Sequence, residues 1–177
     1  MRSGEQELIA RLKHKETRDA AFEELVKKYQ QPLYFHIRRM VGNHEDADDV
    51  LQNTFVKVWR FIGDFKEEAK LYTWMYRIAS NEALGFLRAQ KTIPSGNSEA
   101  QMHVVATDDG PDSDSISRKL EEALKTLPDK QRQVFDLKYF SELKYEEIAE
   151  ITGTSIGALK ASFFHAVKKI EAFLKSH

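Results

Sequence analysis

The stretch Tyr145-Glu-Glu-Ile-Ala-Glu-Ile-Thr-Gly-Thr-Ser-Ile-Gly-Ala-Leu-Lys160 decides how the rest of the chain is read. Two helices that cross steeply need a small residue where they touch, and Ala149 supplies one. The turn between them needs a residue tolerant of positive φ, and Gly153 stands four positions later. Thr154 and Ser155 are suited to cap the second helix, and Ile148, Ile156 and Leu159 fall where a shared core would lie. The pattern predicts a helix-turn-helix. A plain helical hairpin with a glycine turn would share these features, but the second helix argues against it. Ile156, Leu159, Phe163, Ile170 and Leu174 make one apolar stripe, while Lys160, Phe164, His165 and Lys168 fall on the other side. An exposed phenylalanine among bases suits a major groove, where apolar groups meet thymine methyls and lysines reach phosphate or guanine. His165 has no partner at ligand spacing, so it is read as a polar, DNA-facing side chain rather than a metal ligand.

Outward from that segment the helical period continues. Ile116, Leu120, Ala123, Leu124 and Leu127 form one amphipathic helix, which Pro128 ends before beginning the next. Val134, Phe135, Leu137 and Tyr139 mark a second helix, residues 145–151 a third and 155–174 a fourth. Residues 92–115, TIPSGNSEAQMHVVATDDGPDSDS, break the period and are rich in turn formers and acids, which predicts a flexible linker. Before it, Ala21, Phe22, Leu25, Val26 and Tyr29 recur at helical spacing, and so do Leu33, Ile37, Met40 and Val41 after Pro32. Gly42 and Asn43 stop that run. The next helix opens with Asp46, Asp48 and Asp49 and presents Val50, Leu51, Phe55, Val58 and Ile62. A polar loop then leads to a last helix over about 72–89. The expected fold is all-α: two small helical domains, 1–91 and 116–177, joined by the linker 92–115.

Composition narrows the function classes. The net charge of -1 seems wrong for a nucleic-acid partner until it is divided. Residues 1–91 hold 16 Lys+Arg against 14 Asp+Glu, residues 92–115 hold none against 5, and residues 116–177 hold 11 against 9. The acidity sits in the linker, and both flanking parts are mildly basic. The chain has no cysteine, which excludes disulfides and thiol catalysis. No apolar run approaches the ~18 residues of a membrane span, and the N-terminus lacks a signal-peptide core. A cytoplasmic protein without membrane insertion is expected. No phosphate loop, HExxH or nucleophile motif is present, so no catalytic residue, metal or cofactor is expected. Asp46, Asp48 and Asp49 are read as partners of a helix N-terminus rather than as metal ligands.

A second motif lies in Tyr72-Thr-Trp-Met-Tyr-Arg-Ile-Ala-Ser-Asn-Glu-Ala-Leu-Gly-Phe-Leu-Arg88. Arg77, Asn81 and Arg88 fall on one stripe, which can hold a nucleic-acid backbone. Nearby Tyr72, Trp74 and Tyr76 could stack on unpaired bases, or could simply be core.

Together the motifs resemble one family, the extracytoplasmic-function class of bacterial sigma-70 RNA polymerase sigma factors. The stretch from Asp46 to Arg60 is similar to region 2.2, and that from Tyr72 to Arg88 to regions 2.3 and 2.4. Leu127-Pro128 with Gln131-Arg132-Gln133-Val134-Phe135 is similar to region 4.1, and Tyr145 onward to region 4.2. The resemblance implies that Asp49, Gln52 and Asn53 meet the clamp helices of core RNA polymerase. The loop 64–71 with Asp64, Phe65 and Lys66, together with Tyr72, Trp74, Arg77, Asn81 and Arg88, would take the −10 element. Lys160, Ser162, Phe164, His165 and Lys168 would read the −35 element. The family more often carries Glu at the position of Asn53 and Arg at those of Lys160, Ser162 and His165. Implied partners are the beta and beta-prime subunits of core polymerase, promoter DNA and an anti-sigma factor. A stand-alone helix-turn-helix regulator would explain residues 116–177 but not the Trp-Arg-Asn helix. The sequence leaves open whether residues 1–18 are ordered.

Overall fold

The structure, a computed structural model, describes residues 3–93 and 111–177. Most of the expected linker, residues 94–110, lies outside the described residues. Among the described residues every regular element is helical.

The N-terminal half contains four α-helices. Helix α1 (Gly4–Lys13) starts at a capping box: Ser3 Oγ accepts from the Gln6 N–H at 3.3 Å, and the Gln6 side chain accepts from the Ser3 N–H at 3.1 Å. Helix α2 (Arg18–Val41) runs through Pro32, which removes only one rung of the ladder. It stops where Gly42 turns left-handed at φ 98. Helix α3 (His44–Phe61) is capped by Asn43, whose side chain accepts from the Asp46 N–H at 2.9 Å. A 3-10 turn (Ile62–Asp64) and a loop lead to α4 (Leu71–Thr92). Leu12, Leu25, Leu33, Ile37, Met40, Ile62, Leu71 and Met75 are fully buried between these helices. Each such side chain contributes roughly 1.5–3 kcal/mol through the water it sheds.

The C-terminal half holds α5 (Pro111–Lys125), α6 (Asp129–Phe135), α7 (Tyr145–Thr152) and α8 (Ile156–Ser176). Helix α5 begins five residues before the expected apolar start, with Pro111 at its first position, where the missing N–H costs nothing. Ile116 does not join the core as expected. It is 67% exposed because packing against α8 begins only at Leu120. Helix α6 does not continue smoothly to Tyr139: a π-helical turn (Asp136–Phe140) follows it. The extra residue shifts the phase, so that adjacent Asp136 and Leu137 both point inward and Tyr139 points out. On α8 the buried stripe is Leu159, Ala166 and Ile170, with Phe163 partly covered. Ile156 and Leu174, expected in that stripe, are exposed because the first and last turns overhang their neighbours.

The two halves pack on one another. Val134, Leu137, Ile148 and Leu159 belong to the same apolar cluster as the N-terminal core. Arg132, more than half buried, donates to the carbonyls of Leu124 and Met40, each at 3.0 Å, and of Lys125 and Leu127, each at 3.3 Å. It thereby closes the open C-terminal end of α5 and binds it to the last turn of α2. Burial lowers its pKa, since the charge has left water for carbonyl partners.

Candidate nucleic-acid interface

The turn before α8 has the geometry its sequence predicts. Gly153 sits at φ 69, a left-handed value that favours glycine. Ser155 Oγ accepts from the Ala158 N–H at 3.3 Å and starts the helix. Lys160, Phe164, His165 and Lys168 are all exposed on α8. Phe164 is 57% exposed, with Lys168 Nζ 5.5 Å from its ring centroid. Lys160 Nζ stands 5.8 Å from the ring of Tyr145. Ser162 departs from this group: it is half-buried and faces α4 across a cleft.

On α4, Arg77, Asn81 and Arg88 are exposed along one stripe, but the aromatic residues beside them are occupied. Tyr76 is buried beside His36, ring centroids 5.3 Å apart, and burial raises its pKa. Trp74 is half-buried against Phe65 at 5.1 Å. Phe65 itself is only 5% exposed, so it braces Trp74 and has no free face for a base, contrary to the expectation for it. Tyr72 is half-buried and its hydroxyl donates to Glu147 of α7. Burial first, and then that bond, raise the Tyr72 pKa. Burial opposes ionisation of Glu147, but donation from Tyr72 and the Lys144 N–H, with the nearby Lys70 ammonium, holds its pKa below the usual value. Lys70 is raised in turn by the negative charge available at Tyr72 and Glu147.

Asp64 and Lys66 project from the loop before α4. The loop is tied to α1: Lys13 Nζ donates to the Phe65 carbonyl at 2.8 Å and pairs with Glu67 at 3.3 Å. Glu5 accepts from the Leu71 N–H at 3.2 Å. The N-terminal helix, whose order the sequence left open, is thus the prop of this loop. Glu67 takes φ 60, which the lysine contact helps to hold.

On α3, Asp49, Gln52 and Asn53 are exposed and share a strip with Val56, itself 55% exposed. Asp46 accepts from the Asn43 side chain, and Asp48 pairs with His44 at 3.1 Å, so these two acids serve the helix start. Asp49 points outward. Asp49 and Asn53 share a small cavity of about 220 Å³ with Asn81, which joins the α3 strip to the α4 stripe. Among the described residues no three His, Asp or Glu side chains gather as a metal site, and no helix is long and apolar enough to cross a membrane.

Sequence reasoning missed Arg132 as a joint, and also Glu147, His36 and Asp136. Each has a partner in the other half of the chain, which no periodicity or local spacing reports.

Residues 25–93 match the family model for sigma-70 region 2, and residues 117–170 that for sigma-70 region 4. The chain is 30% identical to the RNA polymerase sigma-H factor of Pseudomonas aeruginosa, over 97% of this chain and 94% of that protein. It is 33% identical to the ECF RNA polymerase sigma-E factor of Haemophilus influenzae, over 85% and 86%. Among solved structures it is similar to the sigma factor RpoE of Bartonella quintana, crystallised with the anti-sigma factor NepR. There the TM-score is 0.72 and the identity 24%, over 87% of this chain and 96% of that one. It is also similar to CnrH, solved with the cytosolic domain of CnrY, with TM-score 0.75 and 23% identity over 98% and 99%.

Proposed function

Because the chain belongs to the extracytoplasmic-function class of the sigma-70 family, and so is an RNA polymerase sigma factor, we propose how its surfaces divide the work of promoter recognition. Residues 1–91 bind core polymerase and the −10 element, 116–177 bind the −35 element, and the acidic segment 92–115 follows a basic channel of the enzyme. Asp49, Gln52 and Asn53 meet the polymerase clamp, with Val56 as an apolar contact beside them. Phe164, Lys160, His165 and Lys168 enter the major groove of intact duplex. Arg77, Asn81 and Arg88, with Asp64 and Lys66 on the loop, hold strands already parted. Trp74 offers the half of its ring that Phe65 leaves uncovered, and Tyr72 becomes available once Glu147 releases it.

The observation that supports this reading is the pairing, in one chain, of two exposed helix faces with different chemistry. One is apolar and basic behind a helix-turn-helix turn. The other is dominated by Arg77, Asn81 and Arg88 and adjoins the candidate polymerase strip. The work is binding rather than catalysis, and we place it in the cytoplasm, where promoter DNA is. An anti-sigma factor is the proposed regulator. Its site is the groove of about 570 Å³ lined by Tyr34, Phe35, Leu120 and Phe140 with Arg38 and Arg39. Such a groove suits an amphipathic segment edged with acids.

Run-off transcription by core polymerase on a genomic fragment library tests the reading. Added chain should yield discrete new transcripts, whereas free chain should bind the same fragments weakly. Tight duplex binding by the free chain, with no effect on core polymerase, would instead mark a stand-alone regulator.

A further inference from the structure

The loop that carries Asp64 and Lys66 has little of its own to hold it in shape. Phe65 is buried, but residues 66–68 and 70 are exposed and Ala69 is half-buried. The Phe65 N–H closes the 3-10 turn on the Ile62 carbonyl at 3.2 Å. Beyond it, Glu67 takes its left-handed φ of 60, which a residue with a Cβ keeps only when its surroundings favour it. Lys70, at the N-cap of α4, offers the helix no side-chain cap.

Both ends of the loop are held instead by α1. At the entry, Lys13 Nζ donates to the Phe65 carbonyl at 2.8 Å and to the Glu67 carboxylate at 3.3 Å. At the exit, the Glu5 carboxylate accepts from the Leu71 N–H at 3.2 Å. Leu71 opens α4, so its N–H is one of the donors that a helix leaves unsatisfied at its start. A carboxylate there also meets the positive end of the helix dipole. Glu5 thus caps α4 from another helix. The two tethers stand about 12 Å apart along α1, and α1 is itself fixed by buried Leu8, Ile9 and Leu12. Lys13 has a second consequence. Residues 64–70 carry Asp64, Glu67 and Glu68 against Lys66 and Lys70, a poor balance for a surface that meets phosphate. Pairing with Lys13 offsets Glu67 and turns its carboxylate toward α1.

We propose that Lys13 and Glu5 are positioning residues for the −10 element: from α1 they set the loop 64–71 in the shape that admits an unpaired base, without touching DNA themselves. The inference rests on the −10 role assigned to that loop above. Discrimination among bases needs donors and acceptors held to within about 0.5 Å, and a loop of exposed side chains does not hold them alone. Loss of either tether therefore lowers selectivity while leaving polymerase binding intact, since the candidate polymerase strip lies on α3.

Holoenzyme reconstituted with the full-length chain is presented with a pool of single-stranded DNA oligonucleotides with a randomised centre, and the bound fraction is sequenced. The native chain should select preferred bases. Lys13→Met and Glu5→Ala should each lower the preference about tenfold at one and the same position, while the other positions and co-purification with core polymerase stay unchanged. Lys13→Arg, which keeps a cationic donor, should restore that preference. A helix that merely stabilised the domain would weaken every position together. Hydrogen exchange of the free chain gives an independent readout: Glu5→Ala should speed exchange of the Leu71 amide on the order of tenfold. Unchanged base preference, an equal fall at every position, or an unaltered Leu71 amide in Glu5→Ala would overturn the proposal. The tethers lie at opposite ends of the loop, so either variant decides the matter if circular dichroism shows the other to be unfolded. If the native holoenzyme selects no base at all, the −10 role of the loop fails, while the Leu71 amide still reports whether α1 shapes it.

Discussion

Helices α4 and α8 are both assigned to promoter DNA, yet they spend their aromatic residues in opposite ways. On α4, Tyr76 is buried, Trp74 leans on Phe65 and Tyr72 is tied to Glu147. What remains free is polar: Arg77, Asn81 and Arg88. On α8, the core is made by Leu159, Ala166 and Ile170, and Phe164 is left outside among lysines. Position beside a candidate binding stripe therefore does not by itself leave an aromatic ring free to stack. Burial separates the two cases: Phe164 is unexplained by the fold, whereas Phe65 is explained by it.

The largest expected effect concerns the platform under both helices. Arg132→Ala takes a donor from four carbonyls, of which that of Leu124 keeps the Leu127 N–H, and should lower global stability by about 3 kcal/mol, read from urea unfolding. A change within error would mean that the α5–α2 joint does not hold the halves. The comparison itself is sharpened by paired truncations. Trp74→Ala should cost about 2 kcal/mol, as a half-buried aromatic lost from its packing. Phe164→Ala should stay within about 0.5 kcal/mol, as a surface change. Equal losses would erase the distinction drawn between the two helices. Gly153→Ala should cost about 1 kcal/mol, because an added Cβ meets no atom within 4 Å and only the φ of 69 is strained. A neutral result would show that the turn relaxes.

The smallest effect is that of pH on the Tyr72–Glu147 contact. Glu147 is held below its ordinary value of 4.5, so its contribution is present above pH 4.5 and is lost as pH falls through the lower folded value. Tyr72 is raised above 10.0, so its contribution is present below pH 10.0 and is lost as pH rises through the higher folded value. The contribution of this contact to stability, read as the difference in urea unfolding between the native chain and Tyr72→Phe, should thus be flat between these limits and should fall below pH 4.5. A decline confined to neutral pH would point to another group.

Much of this arrangement was legible in the sequence, and the exceptions share a cause. Gly153, Ser155 and the exposed face of α8 follow from local rules of turns and caps. Asp49, Gln52 and Asn53 are named by the family resemblance alone, and the structure leaves all three exposed on α3. The π-helical turn was missed because a single inserted residue changes phase without altering composition. Ile116, Ile156 and Leu174 were misplaced because periodicity reports the face of a helix and not where its neighbour ends. The role of Phe65 and the contacts of His36, Arg39, Arg132 and Glu147 depend on partners far away in sequence, His36 and Asp136 being 100 residues apart.

The central claim is that promoter recognition is split between two helices acting at different steps. Permanganate footprinting of the −10 region, run beside filter binding of reconstituted holoenzyme, tests it most directly with Asn81→Ala and Lys160→Ala. Asn81→Ala should reduce strand opening about tenfold while leaving promoter engagement nearly intact, and Lys160→Ala should weaken engagement by a similar factor first. Equal impairment of the same step by both substitutions would contradict the division.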